Sequence, residues 1–174
     1  MATSPEGPRT VFVNGDFVPA SEATVSIMDR GLLFADAVYE GIGVLDGKLV
    51  NFDFHMDRLA DSLRAIGVPA PLTRGEWRRV LEELVRRAGA EEAACYLQVT
   101  RGTAVRGYLP PEEIIPNVFA FVLDRHAPGA DDPVVAMTLT SVVDTRWARR
   151  DIKSTNLLGQ VRAKQVQISS RVIT

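Results

Sequence analysis

Residues 37–50 read Ala37-Val38-Tyr39-Glu40-Gly41-Ile42-Gly43-Val44-Leu45-Asp46-Gly47-Lys48-Leu49-Val50. The run up to Leu45 leads into Asp46-Gly47 and a short return segment, the pattern of a β-hairpin closed by a two-residue turn. From Asp53 the period changes. Met56, Leu59, Leu63 and Ile66 recur every three or four positions, which predicts one apolar stripe of a helix ending at Gly67, just before Pro69. A hairpin followed directly by an amphipathic helix indicates an α+β chain rather than an all-helical one.

The flanks extend this pattern. Upstream, Val11-Phe12-Val13 meets Asn14-Gly15, with Phe17 and Val18 on the return: a second hairpin. Downstream, Thr73 with Glu76 three residues later predicts a capped helix start. Trp77, Val80, Leu81, Leu84, Val85 and Ala88 form that helix's apolar face, and Gly89 closes it. Residues 93–101 alternate as a strand. Val118 to Leu123 is continuously apolar, as expected of a central strand covered on both faces. The turn-rich stretch 125–133 reads as a linker. Val135, Met137, Leu139, Ser141 and Val143 then alternate as another strand, and a helix is expected from Asn156 to about Ser170. The expected organisation is a disordered tail over 1–10, an α+β domain over 11–124, the linker, and a second unit over 134–174. That second unit is too short to close its own core.

Composition limits the function classes. The chain has 174 residues, 46% hydrophobic and 24% charged, with a formal net charge of −2. These values fit a folded globular chain and exclude a disordered or collagenous one. Acids outnumber bases, which gives no support to nucleic-acid binding, and no apolar run approaches the ~18 residues of a membrane span. A single cysteine, Cys95, forbids an internal disulfide, and the N-terminus lacks the apolar stretch of a signal peptide, so a cytoplasmic protein is expected. No phosphate-loop motif is present. Gly41-Ile42-Gly43 lacks the third glycine of a dinucleotide fingerprint, and His55, His126 and Cys95 are too scattered for a zinc site, so no metal is expected.

Lysine is scarce: Lys48, Lys153 and Lys164 are the three in the chain, so amine chemistry has three candidates. Lys153 follows Arg146, Arg149 and Arg150, and a positive neighbourhood disfavours an ammonium, as an amine nucleophile requires. The same run also reads as a solvated basic loop partly neutralised by Asp151, and on spacing alone that is the better reading. Arg58, early in its helix, could offer its guanidinium fork to a phosphate, or simply pair with Asp61 on the helix surface. Arg106 and Tyr108, in a loop after a strand, could hold a carboxylate or could be ordinary exposed loop residues. Tyr39 could be a site residue or a core tyrosine with its hydroxyl satisfied.

Taken in order along the chain, four segments carry more than their parts. The run Asp29-Arg30-Gly31-Leu32-Leu33-Phe34-Ala35-Asp36-Ala37-Val38-Tyr39-Glu40 resembles the opening signature of the fold-type IV (class IV) pyridoxal-phosphate enzymes. The run His55-Met56-Asp57-Arg58-Leu59 resembles their phosphate-arginine helix. Tyr96-Leu97-Gln98-Val99-Thr100-Arg101-Gly102 and Asp151-Ile152-Lys153-Ser154-Thr155-Asn156-Leu157-Leu158-Gly159 look most like the D-amino-acid (D-alanine) transaminase branch. The resemblance implies the family's α+β N-terminal domain followed by the beginning of its C-terminal pseudo-barrel domain. It implies that Lys153 forms the Schiff base with pyridoxal 5'-phosphate and shuttles the substrate α-proton, and that Arg58 binds the cofactor phosphate. Tyr39, Arg106 and Tyr108 would line the substrate side, with Arg106 in the carboxylate trap. The implied reaction moves an amino group from a D-amino acid such as D-alanine to a 2-oxo acid such as 2-oxoglutarate, in a homodimer.

Two departures accompany the resemblance. Tyr108 stands where the branch usually has a histidine, and a phenol donates a hydrogen bond but carries no positive charge near pH 7. Nothing after Asp151 is acidic, whereas the family's glutamate at the pyridine nitrogen lies beyond the lysine, so the chain is expected to be truncated. Residues 166–174 no longer look like the family's helix. The alternatives are another branch of the fold, a branched-chain aminotransferase or an aminodeoxychorismate lyase, or a catalytically inactive fragment serving as a dimerisation module. Arg106 and the run Asp151 to Leu158 argue against the first two.

Overall fold

The computed structural model describes residues 9–124 and 148–169. The chain groups into two units: Met1–Ala127 with Ile152–Thr155, and Pro128–Asp151 with Asn156–Thr174. The expected linker over 125–133 and the expected strand around Val135 to Val143 lie outside the described residues, as do residues 1–8 of the expected tail.

In the first unit, β1 (Thr10–Val13) reverses at Asn14-Gly15 into β2 (Asp16–Pro19). Both turn residues have positive φ, 48° and 111°, the backbone for which Asn-Gly is suited. A five-residue helix, α1 (Arg30–Phe34), precedes the long strand β3 (Ala37–Leu45). Asp46-Gly47 then turns β3 into the two-residue β4 (Lys48–Leu49). Helices α2 (Phe52–Ile66) and α3 (Arg74–Ala88) follow, and then strands β5 (Ala93–Thr100) and β6 (Asn117–Asp124). The sheet order is β2-β1-β6-β5-β3-β4, every neighbour antiparallel.

The two long helices begin and end as their sequence predicts. Gly67 closes α2 in the left-handed region and donates to the carbonyls of Leu63 and Arg64. Thr73 and Glu76 form a full capping box at the start of α3. Thr73→Ala removes that reciprocal pair and is expected to lower the free energy of unfolding by about 1 kcal/mol, read from urea melts.

One core joins these helices to one face of the sheet. Met56, Leu59 and Leu63 of α2 and Trp77, Leu81 and Leu84 of α3 pack with Val38, Ile42, Cys95, Leu97, Val99 and Ala120. The other face differs from expectation. Phe119 and Phe121 of β6 are half-buried rather than enclosed, and they stack on Tyr96, which stacks on Tyr39. The unbroken apolarity of β6 therefore reflects an aromatic ladder on one face and the core on the other.

The lysine segment is a second difference. Ile152–Thr155, expected within the C-terminal unit, groups with the first. The cause is the shortness of β4, which among the described residues pairs only with Val44 and Leu45 of β3. At the other end of that strand Tyr39 N donates to the Lys153 carbonyl (3.0 Å) and Thr155 N donates to the Ala37 carbonyl (3.2 Å). Ile152 is buried in the core beside it. The described part of the second unit contains α4 (Leu158–Ser169), and Arg149 donates to Asp151 through Nε (3.0 Å) and Nη2 (2.7 Å). Among the described residues no helix is long and apolar enough to cross a membrane.

Candidate active site

Lys153 reaches its position through its backbone. Its carbonyl is fixed on the edge of β3, and its N–H donates to Ser62 Oγ (3.2 Å) in the middle of α2. The half-buried side chain then places Nζ 4.2 Å from the centroid of the Tyr39 ring. An ammonium over a phenol face is attracted by the ring's quadrupole, so the ring steers the amine. Among the described residues no carboxylate pairs with Nζ. Tyr39 itself stacks on Tyr96, centroids 5.5 Å apart. Burial, with a smaller contribution from Tyr39, pushes the Tyr96 phenol up to about 12, so it remains a donor, to Gln98 Oε1 at 2.7 Å. Of the three arginines before Lys153, Arg149 is committed to Asp151, as the solvated-loop reading expects, and Arg146 lies outside the described residues.

Arg58 sits one helical turn before Ser62 on α2, which puts it on the flank of the helix that meets the lysine segment. It does not pair with Asp61, which binds Arg64 instead (2.8 Å). Arg58 grips Glu40 with both prongs, Nε to Oε1 at 2.7 Å and Nη2 to Oε2 at 2.6 Å. Glu40 is fully buried, in the strand phase otherwise held by Val38, Ile42 and Val44, and His55 Nδ1 lies 2.8 Å from its Oε2. That contact is a hydrogen bond when Nδ1 carries the proton, because a carboxylate only accepts. The Glu40 bonds hold the arginine charge still more firmly than usual. Arg58 remains half exposed, and among the described residues Nη1 donates to nothing.

Arg106 and Tyr108 form a separate cluster. The Arg106 guanidinium lies 5.3 Å from the Phe34 ring centroid and the Tyr108 ring 5.9 Å from it. Tyr108 is 87% exposed. Among the described residues no hydrogen bond, ion pair or ring contact joins this cluster to Lys153. The structure therefore brings Lys153 and Tyr39 together directly and Arg58 through Ser62, while Arg106 and Tyr108 stand apart on the α1 side.

Sequence reasoning missed two groups. Glu40 could have been found as an acid on the buried phase of an apolar strand. The other group, Asp36 with Arg30 and Arg101, could not. Asp36 accepts from Arg30 Nε (2.9 Å) and from Arg101 Nε and Nη2 (2.7 and 3.0 Å), partners 6 and 65 residues away in the chain.

A family model, amino-transferase class IV, matches residues 37–169, from β3 through the lysine to the end of α4. The chain belongs to the class IV amino-transferase family. Within it, the D-alanine aminotransferase of Staphylococcus haemolyticus is 38% identical over 159 residues, covering 91% of this chain and 56% of that one. The chain thus spans about half the length of the curated relatives it matches. The fold agrees with class IV structures. The branched-chain amino acid aminotransferase of Escherichia coli superposes with a TM-score of 0.66 at 23% identity, over 72% of this chain and 43% of that one. The 4-amino-4-deoxychorismate lyase of Pseudomonas aeruginosa gives 0.53 at 31% identity, over 63% and 38%. The expected fold-type IV, α+β architecture is therefore borne out, and the matched class IV region includes Lys153.

Proposed function

We propose that this chain carries the lysine half of a D-amino-acid transaminase, which uses pyridoxal phosphate to move an amino group from a D-amino acid such as D-alanine to a 2-oxo acid such as 2-oxoglutarate. The observation that carries this reading is Lys153 Nζ over the Tyr39 ring, on a segment stitched to β3 and α2, in a class IV chain similar to D-alanine aminotransferases. A cytoplasmic homodimer is part of the proposal and rests on the family resemblance.

The donor set fits a phosphorylated aldehyde. Among the described residues, Lys153 offers a primary amine without a carboxylate partner, which would hold the aldehyde end, and Arg58 offers a guanidinium with one nitrogen uncommitted, which would hold the phosphate. The bound cofactor supplies the electron sink for charge developing at the substrate α-carbon. Everything else falls to the chain. Glu40 fixes the Arg58 fork so that its free edge is aimed before any anion arrives. Lys153 Nζ takes the α-proton and returns it, and the Tyr39 face stabilises the amine while it is protonated. Arg106 binds the substrate carboxylate by charge-assisted hydrogen bonds, and Tyr108 adds a neutral donor.

The lyase reading has one observation in its favour, the 31% identity to the chorismate-derived lyase. The two reactions separate in a single assay. A lyase releases pyruvate without a 2-oxo acid acceptor, whereas a transaminase turns over only when one is supplied. Before that, the chain is mixed with pyridoxal phosphate, reduced with borohydride and mapped by mass spectrometry. One label per chain on Lys153, absent in Lys153→Ala and sparing Lys48 and Lys164, is the outcome expected. Label spread over all three lysines, or none, overturns the reading and leaves an inactive fragment.

A further inference from the structure

The loop that carries Arg106 and Tyr108 is held from inside by a buried arginine. Residues 105–109 are all exposed, Val105 90% and Leu109 87%, and no strand or helix contains them. Up to Ala104 the backbone is zipped to the α1 region. Arg30 N donates to the Gly102 carbonyl (2.9 Å), Asp29 and Thr103 form an isolated bridge, and Ala104 N donates to the Met28 carbonyl (3.4 Å). Gly102 has φ +93°, and a Cβ there would come within 1.9 Å of the Ile115 carbonyl oxygen, so the turn into the loop tolerates no side chain. Beyond Ala104, among the described residues, two hydrogen bonds tie the loop back. Arg30 Nη1 donates to the Gly107 carbonyl (2.7 Å) and Nη2 to the Tyr108 carbonyl (3.4 Å).

Arg30 is 4% exposed, so this is not a surface contact of convenience. Its third donor, Nε, is locked on Asp36, which Arg101 grips from the other side. Its guanidinium also lies 4.9 Å from the centroid of the Phe34 ring that meets Arg106 and Tyr108. One buried fork therefore fixes the two carbonyls that immediately follow Arg106 and shares an aromatic ring with it.

We infer that Arg30 is a positioning residue for substrate carboxylate recognition: by clamping the Gly107 and Tyr108 carbonyls it aims Arg106 and Tyr108, and so sets affinity for carboxylate-bearing substrates without touching them. The inference rests on the carboxylate role proposed above for Arg106. Its physical basis is that a charge-assisted hydrogen bond depends on direction, and a group displaced by about 1 Å loses up to a hundredfold in rate or affinity.

The test compares wild type with Arg30→Lys and Arg30→Met in the full chain loaded with pyridoxal phosphate. A lysine keeps the charge on Asp36 but lacks the fork that spans two carbonyls. Arg30→Lys is expected to raise KM for D-alanine about tenfold, with kcat and borohydride labelling of Lys153 unchanged. Amide hydrogen exchange over residues 103–109 accelerates, while β3 and β5 stay protected. In an Arg106→Met/Tyr108→Phe background the same change adds nothing further to KM, because the groups it aims are gone. Unaltered exchange over 103–109 overturns the inference whether or not the protein turns over. So does an unchanged KM, and so does a KM effect that persists in full without the Arg106 guanidinium and the Tyr108 hydroxyl. Should Arg30→Met fail to fold, the lysine variant decides alone. Wild type that lacks the Lys153 label defeats the functional reading and this inference with it. Labelled, active wild type with indifferent Arg30 variants defeats this inference only.

Discussion

Arg101→Met is expected to lower the free energy of unfolding by about 3–5 kcal/mol, the cost of stripping one partner from a buried ion pair. Arg101 is 8% exposed and closes four hydrogen bonds. Two go to Asp36, and two go to the carbonyls of Ile66 (2.6 Å) and Gly67 (3.2 Å), where α2 ends. Methionine fills the volume but leaves a carboxylate and two helix-end carbonyls short of donors at once. The pH dependence gives a second check. Burial alone would raise the Asp36 pKa, but hydrogen bonds from Arg101 and Arg30 hold the carboxyl below its ordinary 3.8. A carboxyl lowered by folding stabilises the native state above its unfolded pKa and loses that contribution as pH falls through its folded one. The gap between wild type and Arg101→Met is therefore full at pH 7 and narrows below pH 3.8. Urea melts at several pH values measure both quantities. A loss under about 1 kcal/mol, or a gap that does not change with pH, would mean that the hub is solvated and replaceable.

This hub marks where sequence reading stops. Hairpins and long helices are legible because their signals are local. Asn14-Gly15 and Asp46-Gly47 are required by positive φ at adjacent residues, and the Thr73–Glu76 box is written within four positions. The helix α1 has one local signal, its Asp29 cap, and no apolar periodicity to go with it. It is five residues long with a glycine at its second position, and it exists because Asp29 caps it while accepting from Thr100 (2.6 Å) and Asn117 (2.6 Å), residues far along the chain. The same division runs through the site. Lys153 stands out by scarcity, and the resemblance points to it independently. Its seat depends on how few residues β4 pairs with, and two-residue strands are not predictable from pattern. Arg58 is ambiguous in the sequence because its helix offers Asp61 at a reasonable spacing. The partner it takes is 18 residues upstream, on a strand whose burial only the assembled sheet decides.

That partner makes Arg58 a demanding residue to test, because its replacement does two things at once. Arg58→Met orphans Glu40, which is fully buried and, among the described residues, keeps only His55 at hydrogen-bond distance, so a loss of about 3–5 kcal/mol in stability is expected. It also removes the guanidinium proposed to hold the phosphate, and charge-assisted hydrogen bonds of about 1.5–3 kcal/mol predict roughly a hundredfold weaker binding of pyridoxal phosphate. The double variant Arg58→Met/Glu40→Leu separates these effects. An apolar pair of similar volume removes the orphaned charge, and stability returns to near wild type, as replacements of whole buried ion pairs commonly do. Phosphate affinity does not return, since nothing has replaced the guanidinium. The control is pyridoxal without its phosphate, whose binding the double variant leaves unchanged. Absorbance titrations with the two aldehydes decide the matter. Equal weakening for both would mean that the Arg58–Glu40 pair shapes the lysine's surroundings rather than binding an anion. Full affinity for pyridoxal phosphate in the double variant would move the phosphate to other residues and leave Arg58 as the counter-charge that lets a glutamate sit in the core.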